Sequence, residues 1–152
     1  MNIIDGSQRL EDAKHLIVEY TKSLGRNLDF QGLDEELQDL HKKYCAPNGR
    51  LLLAVNDEDA VIGCVAYHKL HDDICEMKRL FVLPQARGLK AGRALVSAII
   101  ESAQNNGFKH MKLDTIEPLK PAIALYKSFG FEECEAYYHN PMDDVIYMNL
   151  DL

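Results

Sequence analysis

The chain has 152 residues, of which 47% are hydrophobic and 27% are charged, and its formal net charge at pH 7 is -7. This length and composition predict one globular domain over residues 1–152 without a membrane partner, because no apolar run approaches the roughly 20 residues that span a bilayer. The acidic charge argues against a nucleic-acid partner, since phosphate binding needs a basic surface.

The amino terminus and the cysteines bear on the cell compartment. Residues 1–12 carry acidic side chains where an export signal has a basic start and an apolar core. The four cysteines form no CxxC pair, so we expect reduced, half-buried thiols rather than a disulfide or zinc framework. They are Cys45, Cys64, Cys75 and Cys134. The sequence therefore predicts a cytoplasmic protein.

Two helices are predicted before the main sheet, after a short strand at Asn2–Ile4. The first is capped by Ser7 and ends at Gly25, with apolar residues at helical spacing between them. A second helix with the same spacing is closed by Pro47 and its neighbours. Its apolar residues are Leu33, Leu37, Leu40 and Tyr44.

The next segments have the pattern of a three-stranded meander. Residues 51–55, 61–70 and 74–84 are rich in apolar side chains, and turn residues separate them. In the third strand, polar Lys78 and Arg79 precede apolar Leu80 and Phe81, so strict alternation fails. One extra residue near Lys78 to Leu80 restores the alternation, and we predict a β-bulge there.

The second half of the chain alternates helices and strands. Residues 91–105 have a broad apolar stripe that predicts a well-buried helix. A strand at 111–114 follows, and another helix begins at Pro118 or Pro121 and stops at Gly130. Strands at 131–138 and 145–152 complete the chain. This order implies an α/β (α+β) fold with one mixed sheet and about four helices.

The stretch RGLKAGRALV, residues 87–96, lies between a strand and a helix, where several folds bind phosphate. A Walker loop is excluded, because Gly88 and Gly92 are too close and no lysine follows Gly92. A dinucleotide fold is harder to exclude, since Asp114 lies where a ribose-binding acid is expected. The G-x-G-x-x-G spacing is nevertheless absent, and a meander precedes the loop.

The run LFVLPQARGLKAGRALV resembles the acetyl-coenzyme A loop of the GNAT (Gcn5-related) N-acetyltransferases, [RQ]-x-x-G-x-[GA]. Arg87 fills its first position and Gly92 its last, whereas Lys90 replaces the middle glycine. AIALYKSFGFEE, residues 122–133, resembles the family's A-x-x-L-Y-x-x-x-G-F element. With the strand order, the resemblance covers nearly the whole chain, and FQGLDEEL and RLLLAV are similar to a branch of small bacterial members.

The resemblance implies a central sheet of six to seven strands, splayed in the middle, with acetyl-coenzyme A as cosubstrate and no metal. The pantetheine arm is expected between the strands at 77–83 and 110–115, and backbone N–H groups of the loop are expected to face the pyrophosphate. The implied coenzyme-binding residues are Phe81, Val82, Arg87, Gly88, Leu89, Lys90, Ala91, Gly92, Arg93 and Tyr126.

Two residues are the candidates for proton transfer. By resemblance, Tyr126 is the general acid that protonates the departing thiolate; the alternative is a tyrosine that packs on an amphipathic helix with its hydroxyl in water. Glu76 is the candidate general base, and its alternative is an ordinary ion-pair partner of Lys78 or Arg79.

The acceptor is expected to be a primary amine of a small molecule or peptide. An acidic run on the second helix favours a cationic amine, although such runs are usually a solvated face. This run comprises Asp34, Glu35, Glu36 and Asp39. Tyr137, Tyr138 and His139 either line the acceptor pocket or pack on the sheet. A polar cluster is predicted to be a solvated strand end and turn rather than a metal site: His68, His71, Asp72 and Asp73.

The sequence thus predicts an acetyl-coenzyme A-dependent N-acetyltransferase that acts by direct attack of a primary amine, as a monomer or homodimer. Two alternatives stay open. A non-catalytic acyl-coenzyme A binding module on the same fold is favoured by Lys90, and a dinucleotide-dependent enzyme is permitted by Asp114.

Overall fold

The computed structural model describes residues 1–27, 32–88 and 90–152. The helices are α1 Leu10–Leu24, α2 Leu33–Gln38, α3 Leu40–Tyr44, α4 Ala91–Asn105 and α5 Lys120–Ser128, with 3-10 turns at Gly6–Gln8 and Pro84–Ala86. The strands are β1 Asn2–Asp5, β2 Gly49–Val55, β3 Val61–His71, β4 Ile74–Val82, β5 His110–Ile116, β6 Glu132–Cys134 and β7 Val145–Asp151.

The described strands form one mixed sheet in the order β1-β2-β3-β4-β5-β7-β6. Neighbouring strands are antiparallel except β4 and β5, which are parallel and are connected through α4. A parallel pair needs such a crossover, because a tight turn reverses the chain direction. The predicted α/β fold with a mixed, splayed sheet is confirmed.

Helices cover both faces of the sheet and bury a separate core on each. On one face, Leu95 and Ile99 of α4 pack with Val65 and Met111. On the other face, Ile17 of α1 packs with a second group that contains Tyr44, Leu53 and Cys64. The four cysteines are free, and three of them are buried. Across the described ranges, no helix is long and apolar enough to cross a membrane.

Three predicted features differ from the structure. Ser7 lies in a 3-10 turn and does not cap α1, whose N-cap residue is Arg9 without a side-chain hydrogen bond. The second helix is interrupted at Asp39, whose φ of -147° leaves the helical region and whose carboxylate accepts a 3.1 Å hydrogen bond from the Lys42 amide. Asp39 thus caps a new helix, α3. The strand predicted over residues 131–138 is only Glu132–Cys134, so Tyr137 and Tyr138 lie in the loop that leads to β7.

The predicted β-bulge is present in β4. Cys64 of β3 pairs with Phe81 and Ala66 pairs with Lys78, so Arg79 and Leu80 together face one residue of β3. Arg79 has a φ of +63°, a left-handed conformation that is uncommon for a side chain of this size. The bulge turns β4 beside the opening of the sheet, where it affects the candidate site.

Candidate active site

The site is built on the separation of β4 from β5. The two strands pair only over Ile74–Glu76 and His110–Lys112 within the described chain, and beyond these pairs they diverge. The resulting V-shaped cleft is lined on its strand sides by Met77, Lys78, Arg79, Leu80, Leu113, Asp114, Thr115 and Ile116. Helical and loop residues complete its lining: Tyr20, Leu24, Arg26, Leu119, Tyr126 and Met142.

The glycine-containing loop runs from the end of β4 into α4. Gly88 has a φ of +95°, and Lys90, which precedes the first helical residue, has φ and ψ of 61° and 22°. Lys90 therefore adopts the left-handed conformation that glycine takes at little cost and other residues take at about 1–2 kcal/mol. Lys90 thus has a backbone conformation that a glycine at this position of the motif could also adopt. Leu89 lies outside the described residues.

The other predicted coenzyme-binding residues surround this loop. Arg87 is exposed, and Phe81 and Val82 are the last residues of β4, just beyond the β4 residues that line the cleft. Arg93 donates a 3.1 Å hydrogen bond to Ser128 Oγ and lies over the Phe129 ring at 5.1 Å, so its side chain joins α4 to α5. Lys90, at the amino end of α4, is exposed, and the N–H groups and dipole at the start of a helix favour an anion.

Tyr126 projects from α5 into the cleft. Its ring is buried edge-on against Phe131, with the ring centroids 5.8 Å apart. Burial raises the pKa of the Tyr126 hydroxyl well above its usual range. The hydroxyl is therefore protonated at neutral pH, as a proton donor must be. This position differs from the predicted alternative of a hydroxyl held in bulk water.

Glu76 lies at the apex of the V, where β4 and β5 begin to part. Its carboxylate accepts a hydrogen bond from Tyr137 at 2.5 Å and is 2.7 Å from His68 Nε2, and Lys78 Nζ lies 3.8 Å away. Burial by itself would raise the pKa of Glu76, but His68, Lys78 and Tyr137 more than offset it and lower the pKa to about 2. Glu76 is thus a buried, ionised carboxylate.

His68 is a site residue that the sequence reasoning missed. It was placed with the solvated strand-end residues, yet it pairs with Glu76 across β3 and β4 and is half-buried. The hairpin register carries the signal that could have found it, because directly opposed residues have touching side chains. In the described ranges, no group of three or more His, Cys, Asp or Glu side chains is placed to hold a metal ion.

The loop between β6 and β7 closes over the same face. Tyr138 donates a 2.5 Å hydrogen bond to Asp114 Oδ2, and Asn140 Nδ2 donates to the Tyr138 hydroxyl at 2.9 Å. The rings of Tyr137 and Tyr138 pack on each other and on Tyr147. Of the three aromatic residues predicted near the acceptor, the two tyrosines line a pocket beside Glu76, whereas His139 is exposed.

Glu36 does not belong to a solvated face, which corrects the prediction for the acidic run. Its side chain is buried and accepts hydrogen bonds from Arg79 Nε at 2.8 Å, from Arg79 Nη2 at 2.9 Å and from Lys43 at 3.0 Å. Burial would raise the Glu36 pKa, but these cations lower it to about 2. Asp34 and Glu35 are exposed as predicted. The ion pair of Glu36 with Arg79 fixes α2 to the bulge of β4.

A second ion pair lies at the mouth of the V. Arg26, just beyond α1, donates hydrogen bonds from its two terminal guanidinium nitrogens, Nη1 and Nη2, to the two carboxylate oxygens of Asp144 at 2.6 and 2.7 Å. This bidentate geometry joins the chain after α1 to the loop before β7. Neither residue was singled out from the sequence, because they are 118 positions apart.

Comparison with known proteins agrees with this geometry. Residues 14–131 match the sequence model of the acetyltransferase (GNAT) family. An uncharacterised N-acetyltransferase of Schizosaccharomyces pombe is 46% identical over 146 residues, which cover 95% of this chain and 90% of that protein.

Solved structures share the fold. A GNAT-family acetyltransferase of Staphylococcus aureus superposes with a TM-score of 0.81 at 22% identity, covering 99% of this chain and 98% of that one. A phosphinothricin acetyltransferase of Sinorhizobium meliloti, in complex with acetyl-coenzyme A, gives a TM-score of 0.71 at 19% identity over 99% and 88% of the two chains. The chain belongs to the GNAT acetyltransferase family and is an acyltransferase.

Proposed function

We propose that residues 1–152 form one N-acetyltransferase domain, which moves the acetyl group of acetyl-coenzyme A to a primary amine by direct attack. One observation carries this proposal: Tyr126 enters the cleft where β4 and β5 part, beside the loop that begins α4. The acetyl-coenzyme A complex of the Sinorhizobium meliloti neighbour, which has the same fold, supports acetyl-coenzyme A as the donor.

The coenzyme is proposed to bind along the cleft and the loop. Backbone groups of Phe81 and Val82 would contact the pantetheine arm, and N–H groups at the start of α4 would bind the pyrophosphate with help from the helix dipole. The exposed charges of Arg87 and Lys90 add attraction for phosphate. Lys90 supports rather than opposes this reading, since its backbone already has the glycine conformation.

The chemical step needs a neutral amine and a protonated leaving group. The amine nitrogen attacks the thioester carbonyl carbon, an N–C bond forms, and the C–S bond breaks. Tyr126 gives its hydroxyl proton to the departing thiolate of coenzyme A. A backbone N–H beside the bulge would stabilise the negative charge that develops on the carbonyl oxygen.

Glu76 is proposed to receive the proton that the amine loses, through water. It is ionised and lies at the apex of the cleft, but a pKa of about 2 makes it a weak proton acceptor. Its contribution should therefore lie at the lower end of the range for general bases. His68 and Tyr137 hold the carboxylate in place.

Substitution of Tyr126 by phenylalanine tests the proposal. The variant should lower kcat about 100-fold or more while the Kd for coenzyme A changes little, because only the hydroxyl is removed. Thiol release and calorimetry measure the two quantities, and Tyr20→Phe, on another wall of the same cleft, is the matched control.

Three results would contradict the proposal. Full activity of Tyr126→Phe would remove Tyr126 from its assigned role. Coenzyme A binding by the unchanged protein without acetyl transfer to any amine would favour the non-catalytic alternative. Tight NAD binding without coenzyme A binding would revive the dinucleotide alternative, which membership of the GNAT family opposes.

A further inference from the structure

The pocket beside Glu76 is cationic, although the chain as a whole has a formal charge of -7. We call it the lysine pocket; its volume is about 300 Å³. Its charged or titratable lining residues are Lys43, Lys78, Lys112, His68, His71 and Glu76. Among the described lining residues, three lysines accompany one carboxylate, and such a group of cations in a concave site attracts anions.

Two lysines of this pocket can offer an ammonium group to an anion. Lys43 donates a 3.0 Å hydrogen bond to Glu36, a carboxylate that Arg79 also binds. Lys112 contacts the Asn149 side-chain oxygen at 3.4 Å and the Tyr137 ring at 5.9 Å, and it acts electrostatically on Asp151 from a longer distance. A bound carboxylate would therefore meet the ammonium groups of Lys43 and Lys112, and Lys112 has no ion pair among the described residues.

The lysine pocket adjoins the V-shaped cleft. Lys78 lines both the pocket and the cleft. Tyr138, on the wall of the lysine pocket, donates a hydrogen bond from its hydroxyl group to Asp114 in the cleft. Lys112 and Asp114 are two residues apart on β5, so their side chains leave the same face about 7 Å from each other. Opposite charges at this spacing match the two ends of a small molecule that carries both an ammonium group and a carboxylate.

We propose that the acetyl acceptor is an amine with a carboxylate a few atoms away, as in an amino acid. Lys112 and Lys43 bind the carboxylate, and Asp114 faces the amine on the cleft side. This inference rests on the proposed acetyltransferase function and names its substrate class. It replaces the cationic acceptor expected from the acidic run, since Glu36 of that run is already bound to Arg79.

Matched acceptors test the inference directly. Initial rates of thiol release from acetyl-coenzyme A are measured with a panel of amino acids, their amides, and simple diamines. The best amino acid should exceed its own amide at least about tenfold in kcat/KM. The amide has the more acidic ammonium group, so intrinsic amine reactivity favours the amide and cannot produce this result.

The possible results separate the two proposals. Faster turnover of amides or diamines than of amino acids would overturn the carboxylate inference while upholding acetyl transfer to amines. Absence of acetylation with every amine would overturn the proposed function, and the inference with it.

Substitutions at Lys112 test whether this residue causes the preference for an amino acid over its amide. Lys112→Gln, which keeps a donor toward Asn149, should lower kcat/KM for the best amino acid about tenfold, mainly through KM, with little change for its amide. Lys112→Glu should reverse the preference toward diamines. The control Lys109→Gln removes an exposed charge just before β5, at the end of the strand away from the V. It should change neither kcat/KM for the amino acid nor kcat/KM for its amide. An unchanged preference in both Lys112 variants would overturn the assignment of Lys112.

Discussion

Two buried glutamates on the same side of the sheet, Glu36 and Glu76, have the same low pKa of about 2 but different kinds of partner. The partners of Glu36 are the Arg79 guanidinium, which stays protonated at any accessible pH, and Lys43. Glu76 is bound by an imidazole and a phenol, His68 and Tyr137, and its nearest described lysine, Lys78, lies farther away at 3.8 Å.

The difference lies in what the partners can do with a proton. Arg79 can only hold Glu36, so that pair fixes the position of α2 against the bulge. The ring nitrogens of His68 can donate or accept a hydrogen bond, and Tyr137 faces a pocket open to a substrate. A depressed pKa therefore does not by itself mark an active-site carboxylate, and the chemistry of the partners has to be considered with it.

Replacement of Glu36 should cost the most stability. Glu36→Gln removes the carboxylate that binds the buried Arg79 guanidinium, and removal of one partner of such a pair typically costs about 3–5 kcal/mol. Urea unfolding should show this loss, and Glu35→Gln, an exposed neighbour on α2, should change stability by less than about 0.5 kcal/mol. A Glu36 variant as stable as the Glu35 control would refute the structural role of the ion pair.

Acid should destabilise the fold through both carboxylates. Their pKa values are near 2 in the folded protein and 4.5 without the fold, so the unfolded chain binds protons first as pH falls. Each group then contributes up to about 3 kcal/mol above pH 4.5, and this contribution is lost as pH falls from 4.5 to 2.

Unfolding curves at a series of pH values check this prediction. Glu36→Gln and Glu76→Gln should each flatten the acid slope relative to the unchanged protein. Equal slopes in all three proteins between pH 4.5 and 2 would show that neither carboxylate has a depressed pKa.

Glu76→Gln should separate activity from stability. The amide can still accept a hydrogen bond from Tyr137 but cannot take a proton, so we expect kcat to fall about 100-fold. Stability should fall less than in Glu36→Gln, because the Lys78 ammonium lies 3.8 Å from Glu76, whereas the Arg79 guanidinium binds Glu36 directly at 2.8 Å. Steady-state rates and urea midpoints measure both, with exposed Glu133→Gln as control. A Glu76 variant that loses stability but retains kcat would make Glu76 a second structural carboxylate.

Lys90→Gly should have the smallest effect. The lysine backbone is already left-handed, so glycine relieves about 1–2 kcal/mol in the free and the bound protein alike and should alter the Kd for coenzyme A less than threefold. Lys90→Val, whose branched side chain fits this conformation poorly, should weaken binding more. Calorimetry compares the variants. Tenfold tighter binding by Lys90→Gly would mean that lysine impairs the loop.

Local structure could be predicted from the sequence better than contacts between distant residues. The bulge of β4 was predictable because broken alternation at Lys78 and Arg79 is visible in the chain. The break between α2 and α3 was not, since Asp39 fits the polar side of one long helix as well as it caps a new one. Burial of Glu36 depends on Arg79, which lies 43 positions away, and no local pattern encodes that pairing.

The candidate site likewise has a part that could be predicted from the sequence and a part that could not. The motif around Tyr126 and the loop at Arg87–Gly92 could be found because each is contiguous in the sequence. The partners of Glu76 come from β3 and from an irregular loop, and Tyr137 had been assigned to a strand. Only the folded chain shows that they meet at one carboxylate.

The activity proposed for this protein is transfer of an acetyl group from acetyl-coenzyme A to an amine. To measure it, the protein is incubated with acetyl-coenzyme A that carries a labelled acetyl group and with an amine panel, and free coenzyme A and labelled amide are followed by mass spectrometry. We expect equal amounts of both products and rates that fall about 100-fold or more in Tyr126→Phe. Coenzyme A binding with no labelled amide from any amine would contradict the proposed activity.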